Sequence, residues 1–163
     1  MKYFFLCLFM LLIPSGNVHA LVFRNPDVVC SALEKEGLKL NETWHENGWR
    51  DFTCATSYLP LTKDSGVPTN ISYYVESEQP DEIMYIRLVL NINDDGAKEA
   101  GKKKFLQCIS RLFSNLGLQQ PEEIIPAFNE EKDITINQDY GSVSLEVLKG
   151  ATNTFRLVIR NQL

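Results

Sequence analysis

The sequence predicts an α+β domain. One antiparallel β-sheet of about six strands, in two three-stranded runs, carries two main helices packed on one face, in the order α-β-β-β-α-(α)-β-β-β. Three observations lead there. Short segments rich in β-branched and aromatic residues, bounded by turn residues, recur in two groups of three. Between the groups lies a long stretch with apolar residues three and four apart, the spacing of a helix with one buried face. The composition is that of a folded globular chain: 163 residues, 44% hydrophobic and 23% charged, with 9 Gly and 7 Pro. That excludes disorder, collagen-like repeats and a coiled coil.

The elements follow in chain order. Asn25-Pro26-Asp27 is a helix start, with Pro tolerated in the first turn and an acid near the positive end of the helix dipole. Val29, Cys30 and Leu33 share a face and Gly37 is a natural stop, so the first helix covers about residues 26–37. Thr43–Arg50 contains Asn47-Gly48, a strong turn signal, and leads into a strand over Asp51–Leu61. Lys63–Thr69 is a loop with Gly66 and Pro68, followed by a strand over Asn70–Glu78. Glu82–Asn93 is the most apolar strand, and its near-continuous run Ile83–Leu90 suits a central position in the sheet.

Asp94-Asp95-Gly96 opens the second helix, which runs to about Leu116 with Ala97, Ala100, Phe105, Cys108, Ile109, Leu112, Phe113 and Leu116 on its apolar stripe and Gly117 as its end. A short helix over Pro121–Phe128 and strands over Asp133–Asn137, Tyr140–Lys149 and Thr154–Arg160 complete the chain. The segment from Cys30 to Gly37-Leu38 aligns with that from Ser110 to Gly117-Leu118, a hint of internal doubling.

Residues 1–20 are expected to be a secretory signal peptide. Lys2 precedes an apolar run from Phe4 to Ile13, then Pro14-Ser15-Gly16 and the small-x-small pattern Val18-His19-Ala20. A membrane span needs roughly 20 apolar residues, so no transmembrane anchor is expected after cleavage. Residues 21–163 then form a single α+β domain, secreted or periplasmic. Cleavage removes Lys2, Cys7 and His19, leaving His45 as the sole histidine and Cys30, Cys54 and Cys108 as the cysteines. In an oxidising compartment Cys30–Cys54 is the expected disulfide, with Cys108 buried on the helix as a small hydrophobe.

These residues restrict the chemistry. A hydrolase would have to use His45, and no Gly-x-Ser-x-Gly elbow supplies a nucleophile. One histidine and one free cysteine supply too few ligands for zinc, and no metal or cofactor is expected. Asn91-x-Asn93-x-Asp95-Gly96 opens like a calcium loop, but Lys102 stands at the twelfth position where a bidentate Glu belongs. With 16 Lys+Arg against 21 Asp+Glu, a net charge of −5, nucleic acid is not an expected partner. Lys102-Lys103-Lys104 is expected to be a solvated helix face. Sequons at Asn41 and Asn70 would matter in a eukaryotic source alone.

The most informative stretch is Trp44-His45-Glu46-Asn47-Gly48-Trp49-Arg50. It gathers both tryptophans, His45 and Arg50 around one tight turn, and Trp and Arg dominate interface hot spots. The competing expectation is that one or both indoles cover the edge of the core. The leading reading is therefore a non-enzymatic exported domain that binds a protein partner through Trp44, His45, Trp49 and Arg50, as an inhibitor, immunity-like or envelope accessory protein. The alternatives are a carrier of a small ligand or lipid, with a pocket lined by Tyr73, Tyr85, Phe105 and Phe113, and a hydrolase built on His45.

Overall fold

The computed structural model describes residues 21–49, 51–62, 66–150 and 152–162. Residues 1–20, and with them the expected signal peptide, lie outside the described residues, as does Arg50. The elements are α1 (Pro26–Cys30), β1 (Leu40–Glu46), β2 (Phe52–Thr56), β3 (Leu59–Pro60), β4 (Asn70–Ser77), β5 (Tyr85–Ile92), α2 (Lys98–Leu116), α3 (Ile124–Asn129), β6 (Ile134–Gln138), β7 (Gly141–Leu148) and β8 (Asn153–Asn161). The fold is α+β. One antiparallel sheet has the order β1-β2-β4-β5-β8-β7-β6, and β3 pairs with β4 beside this path.

The sheet has eight strands rather than six, because the first run holds five. β1 escapes the sequence reading because it is an edge strand with a polar sequence, LNETWHE, whose residues are mostly exposed. Its pairing with β2 shifts register twice, between Leu40 and Glu42 and between Glu42 and His45, so no clean alternation exists to find. The expected strand over Asp51–Leu61 divides into β2 and the two-residue β3.

The first helix is also shorter than expected. Asn25 caps it, its Oδ1 accepting from the Val28 amide at 3.3 Å, with Pro26 in the first turn. After Cys30 the bonding tightens: Ala32, Glu34 and Glu36 amides donate three residues back. The Ser31 hydroxyl donates to the Asp27 carbonyl at 2.7 Å, a local bond that competes with a longer helix. Gly37 does end the segment, in the left-handed region at φ +93°.

The helices of the described residues lie on one face of the sheet and enclose the core. Ile71, Tyr73 and Val75 of β4, Ile86, Leu88 and Leu90 of β5, and Phe155, Leu157 and Ile159 of β8 point toward Phe105, Ile109, Leu112 and Phe113 of α2. Rings of Phe105, Phe128 and Phe155 pack in sequence in tilted pairs, with centroids 5.4 and 4.9 Å apart. The first turn of α2 departs from the expected stripe: Ala100 is exposed and Gly101 is buried against Thr69 and Leu90. A Cβ there would lie 3.1 Å from the Thr69 methyl, so glycine allows the helix to approach the sheet.

Outward from the β5–β8 pair the strands run β5-β4-β2 on one side and β8-β7-β6 on the other, and the 3-10 turn before β1 and α2 each end on a left-handed glycine, with α3 standing between α2 and β6. Leu38 and Leu118, which follow those glycines, are both buried.

Candidate functional site

Cys30 of α1 and Cys54 of β2 form the expected disulfide across 24 residues. Both sulfurs are buried, and the Tyr73 hydroxyl, also buried, donates to the Val29 carbonyl at 2.8 Å beside them. Such a bond belongs to oxidising compartments. No helix among the described residues is long and apolar enough to cross a membrane. Cys108 is free and buried in α2; burial pushes its thiol up to about 11, with Lys104 opposing the rise. At neutral pH that thiol is protonated and a poor nucleophile.

The aromatic turn separates into two parts. Trp44 belongs to the core edge: half-buried on β1, it stacks on Phe52 at 6.1 Å and its Nε1 donates to the Pro80 carbonyl at 2.8 Å. Trp49 is 85% exposed at the tip of the β1–β2 hairpin. The tip is nonetheless built: the Asn47 amide donates to the Asp51 carbonyl at 2.8 Å, the Trp49 amide donates to Asn47 Oδ1 at 3.0 Å, and Gly48 takes φ +83°. His45 lies opposite Thr53 on β2. One of its ring nitrogens meets the Thr43 carbonyl at 2.8 Å and the other the Glu42 carboxylate at 3.0 Å, so both are engaged locally.

Among the described residues no helix covers the other face of the sheet, which sequence reading did not single out. A row of paired residues crosses it: His45, Thr53, Glu76, Tyr85, Arg160 and Ser142. The Tyr85 ring lies under two guanidinium groups, Arg87 at 5.2 Å and Arg160 at 5.5 Å. Cross-strand ion pairs join Glu76 to Arg87 and Glu146 to Arg156, the latter at 3.0 Å. Tyr74, Val89 and Val158 share a shallow groove of about 530 Å³ with these pairs. At the hairpin end of the sheet a second groove, about 270 Å³, is lined by Asn47, Asp51, Glu76, Glu78, Met84 and Tyr85. A third, about 340 Å³, adjoins it at Met84 and includes Asn137, Ser142, Arg160 and Gln162. The alternation of β5 and β8 could have revealed this face, because Tyr85, Arg87, Val89 and Arg156, Val158, Arg160 occupy the positions between core residues.

Tyr73, Phe105 and Phe113 are packed in the core while Tyr85 faces the opposite side, so these four do not line one pocket. Two lysines of the run are engaged, Lys102 with Glu131 at 2.8 Å and Lys104 with Glu36 at 3.0 Å, while Lys103 is exposed; Lys98 also reaches Glu131, at 3.1 Å. Asn93 and Asp94 form the strand-to-helix turn, their amides both donating to Thr69 Oγ1 at 3.1 Å. Among the described residues no three His, Cys, Asp or Glu side chains gather as metal ligands. Asn41 is exposed, whereas Asn70 is buried with its amide nitrogen donating to the Pro68 carbonyl at 2.9 Å.

Among the described residues, fold and surface together define an α+β domain with one helix-covered face, one open face and an exposed aromatic hairpin. The chain belongs to the family of unknown function DUF6030, which it matches over residues 11–158. No curated protein and no solved structure matches it.

Proposed function

We propose that this is an exported, non-enzymatic binding domain, secreted or periplasmic, that contacts a protein partner through the tip of the β1–β2 hairpin. The observation that carries the reading is Trp49, held 85% exposed on a hydrogen-bonded turn. Exposing an indole of this size to water is costly, and burying it against a partner recovers about 25 cal/mol per Å² of apolar area. His45 precedes the same tip and Arg50 follows Trp49 in the sequence, while Trp44 serves as the tip's foundation on the core. Export accords with the apolar N-terminal run and with the buried Cys30–Cys54 bond. The engaged ring nitrogens of His45 and the protonated, buried Cys108 favour binding over nucleophilic catalysis.

Alanine substitution of each tryptophan tests this. Trp49→Ala should leave the melting temperature unchanged and abolish retention of the partner on the immobilised protein, whereas Trp44→Ala should lower the melting temperature. Full partner retention by Trp49→Ala would refute the hairpin as the contact.

A further inference from the structure

Trp49 and the groove around Arg160 stand at the same end of the sheet but on opposite sides of it. We propose that the partner of the hairpin is a second copy of this chain, packed open face against open face. The two-fold axis runs along the strands between β4 and β5, and each Trp49 fills the other copy's groove beside Arg160. This inference rests on the hairpin reading above.

Strand order supplies the geometry. A half-turn about that axis exchanges β4 with β5, β2 with β8 and β1 with β7. It carries the hairpin tip, which joins β1 to β2, onto the ends of β7 and β8. The 340 Å³ groove of Met84, Asn137, Ser142, Arg160 and Gln162 lies at those ends. Knob and hole are thus related by one operator, as an isologous interface requires.

Charge agrees with the same operator. β2 crosses the second copy's β8, which brings Asp51, two residues from Thr53, toward the second copy's Arg160. Asp51, Glu78 and Arg160 have no ion-pair partner among the described residues, which leaves them open to an intermolecular ion pair. β4 crosses the second copy's β5 and sets Tyr74 against Arg87, a cation–π pairing. Trp, Tyr and Arg are the residue types enriched at such interfaces.

Area is sufficient. Six strands overlap, and at roughly 4.8 Å per strand and about seven residues of 3.3 Å they cover about 670 Å² per copy. An indole adds roughly 150–250 Å². The total is close to the approximately 800 Å² per partner of a standard stable interface. Two sheets packed face to face at about 10 Å leave room for one layer of side chains.

Sedimentation equilibrium of the exported, disulfide-bonded protein tests the proposal. The expected result is a dimer at about 100 µM, well above the dissociation constant of a specific interface of this size. Trp49→Ala and Arg160→Glu should each weaken it by about tenfold or more while leaving the circular dichroism unchanged. Adding Asp51→Lys to Arg160→Glu should restore association by reversing the pair. Should the Arg160 variants fail to fold, Trp44→Phe leaves Trp49 as the sole indole, and its emission should move to shorter wavelength as concentration rises. A monomer at about 100 µM, or a dimer insensitive to Trp49→Ala, overturns the proposal. The hairpin reading fails separately, when Trp49→Ala leaves retention of another protein intact.

Discussion

Removing the Cys30–Cys54 bond is the perturbation whose size follows most directly from the fold. The bond closes 24 residues that include all of β1 and the hairpin tip, and it ties α1 to the sheet. Loop-closure entropy for such a separation corresponds to about 3 kcal/mol at 25 °C. Cys30→Ala with Cys54→Ala also deletes two buried sulfurs, so about 3–4 kcal/mol is expected in total. For a domain of this size each kcal/mol moves the melting temperature by roughly 3–4 °C, giving a loss of about 10 °C. Calorimetry of the native protein, the double variant and the protein unfolded in strong reductant separates the two contributions, since reduction breaks the crosslink and keeps the sulfurs. A double variant melting within about 3 °C of the native protein would refute the reasoning. It would mean that the Tyr73–Val29 bond and the packing of Leu33 and Leu38 hold the N-terminal segment unaided.

Four further outcomes are expected. Hydrogen bonds from Lys102 and Lys98 hold the Glu131 carboxyl down to about 2, so its contribution is complete above the unfolded value near 4.3 and is lost as pH falls through about 2. The unfolding free energy from urea titrations between pH 5 and 2 should therefore fall more steeply for the native protein than for Glu131→Gln, by about 1 kcal/mol, and parallel curves would contradict this. Gly141→Ala should cost about 3 kcal/mol or more, because φ is +137° and a Cβ would sit 2.0 Å from the Arg160 carbonyl oxygen; a loss below about 1 kcal/mol in denaturant titration would show that β7 shifts to accept it. Trp44→Ala should cost about 2 kcal/mol and Trp49→Ala less than about 0.5 in the same titration, and equal losses would erase the distinction between foundation and tip. Expressed through a eukaryotic secretory pathway, the protein should carry a glycan at Asn41 and none at Asn70, which peptide mass spectrometry reads directly.

Local signals in the chain located most elements where burial and turn chemistry agree. β5 and β8 are the central neighbours, and the near-continuous run Ile83–Leu90 announced the first of them. Asn25, Gly37, Asp94 and Gly117 marked helix ends by the side-chain and left-handed caps they form. β1 was illegible because an edge strand is half in water and its two register shifts destroy the period that reveals a strand. The short first helix was overread because three-residue and four-residue bonding share an apolar face over one or two turns.

The site was legible in part. Both tryptophans stood out by type and spacing, yet nothing local distinguishes Trp44 on Phe52 from Trp49 in water; that depends on where Pro80 and β2 fall in three dimensions. The open-face row of Glu76, Tyr85 and Arg160 joins residues far apart in the chain through strand pairing, which no single segment encodes.

The central claim is that the hairpin tip is a protein contact. A photo-crosslinking residue placed at Trp49, and as a control at exposed Lys103 of α2, tests it in the protein's own compartment. Position 49 should give a discrete protein adduct, of twice the chain's mass when the partner is a second copy, and position 103 none. No adduct at position 49, or the same adducts from both positions, would contradict it.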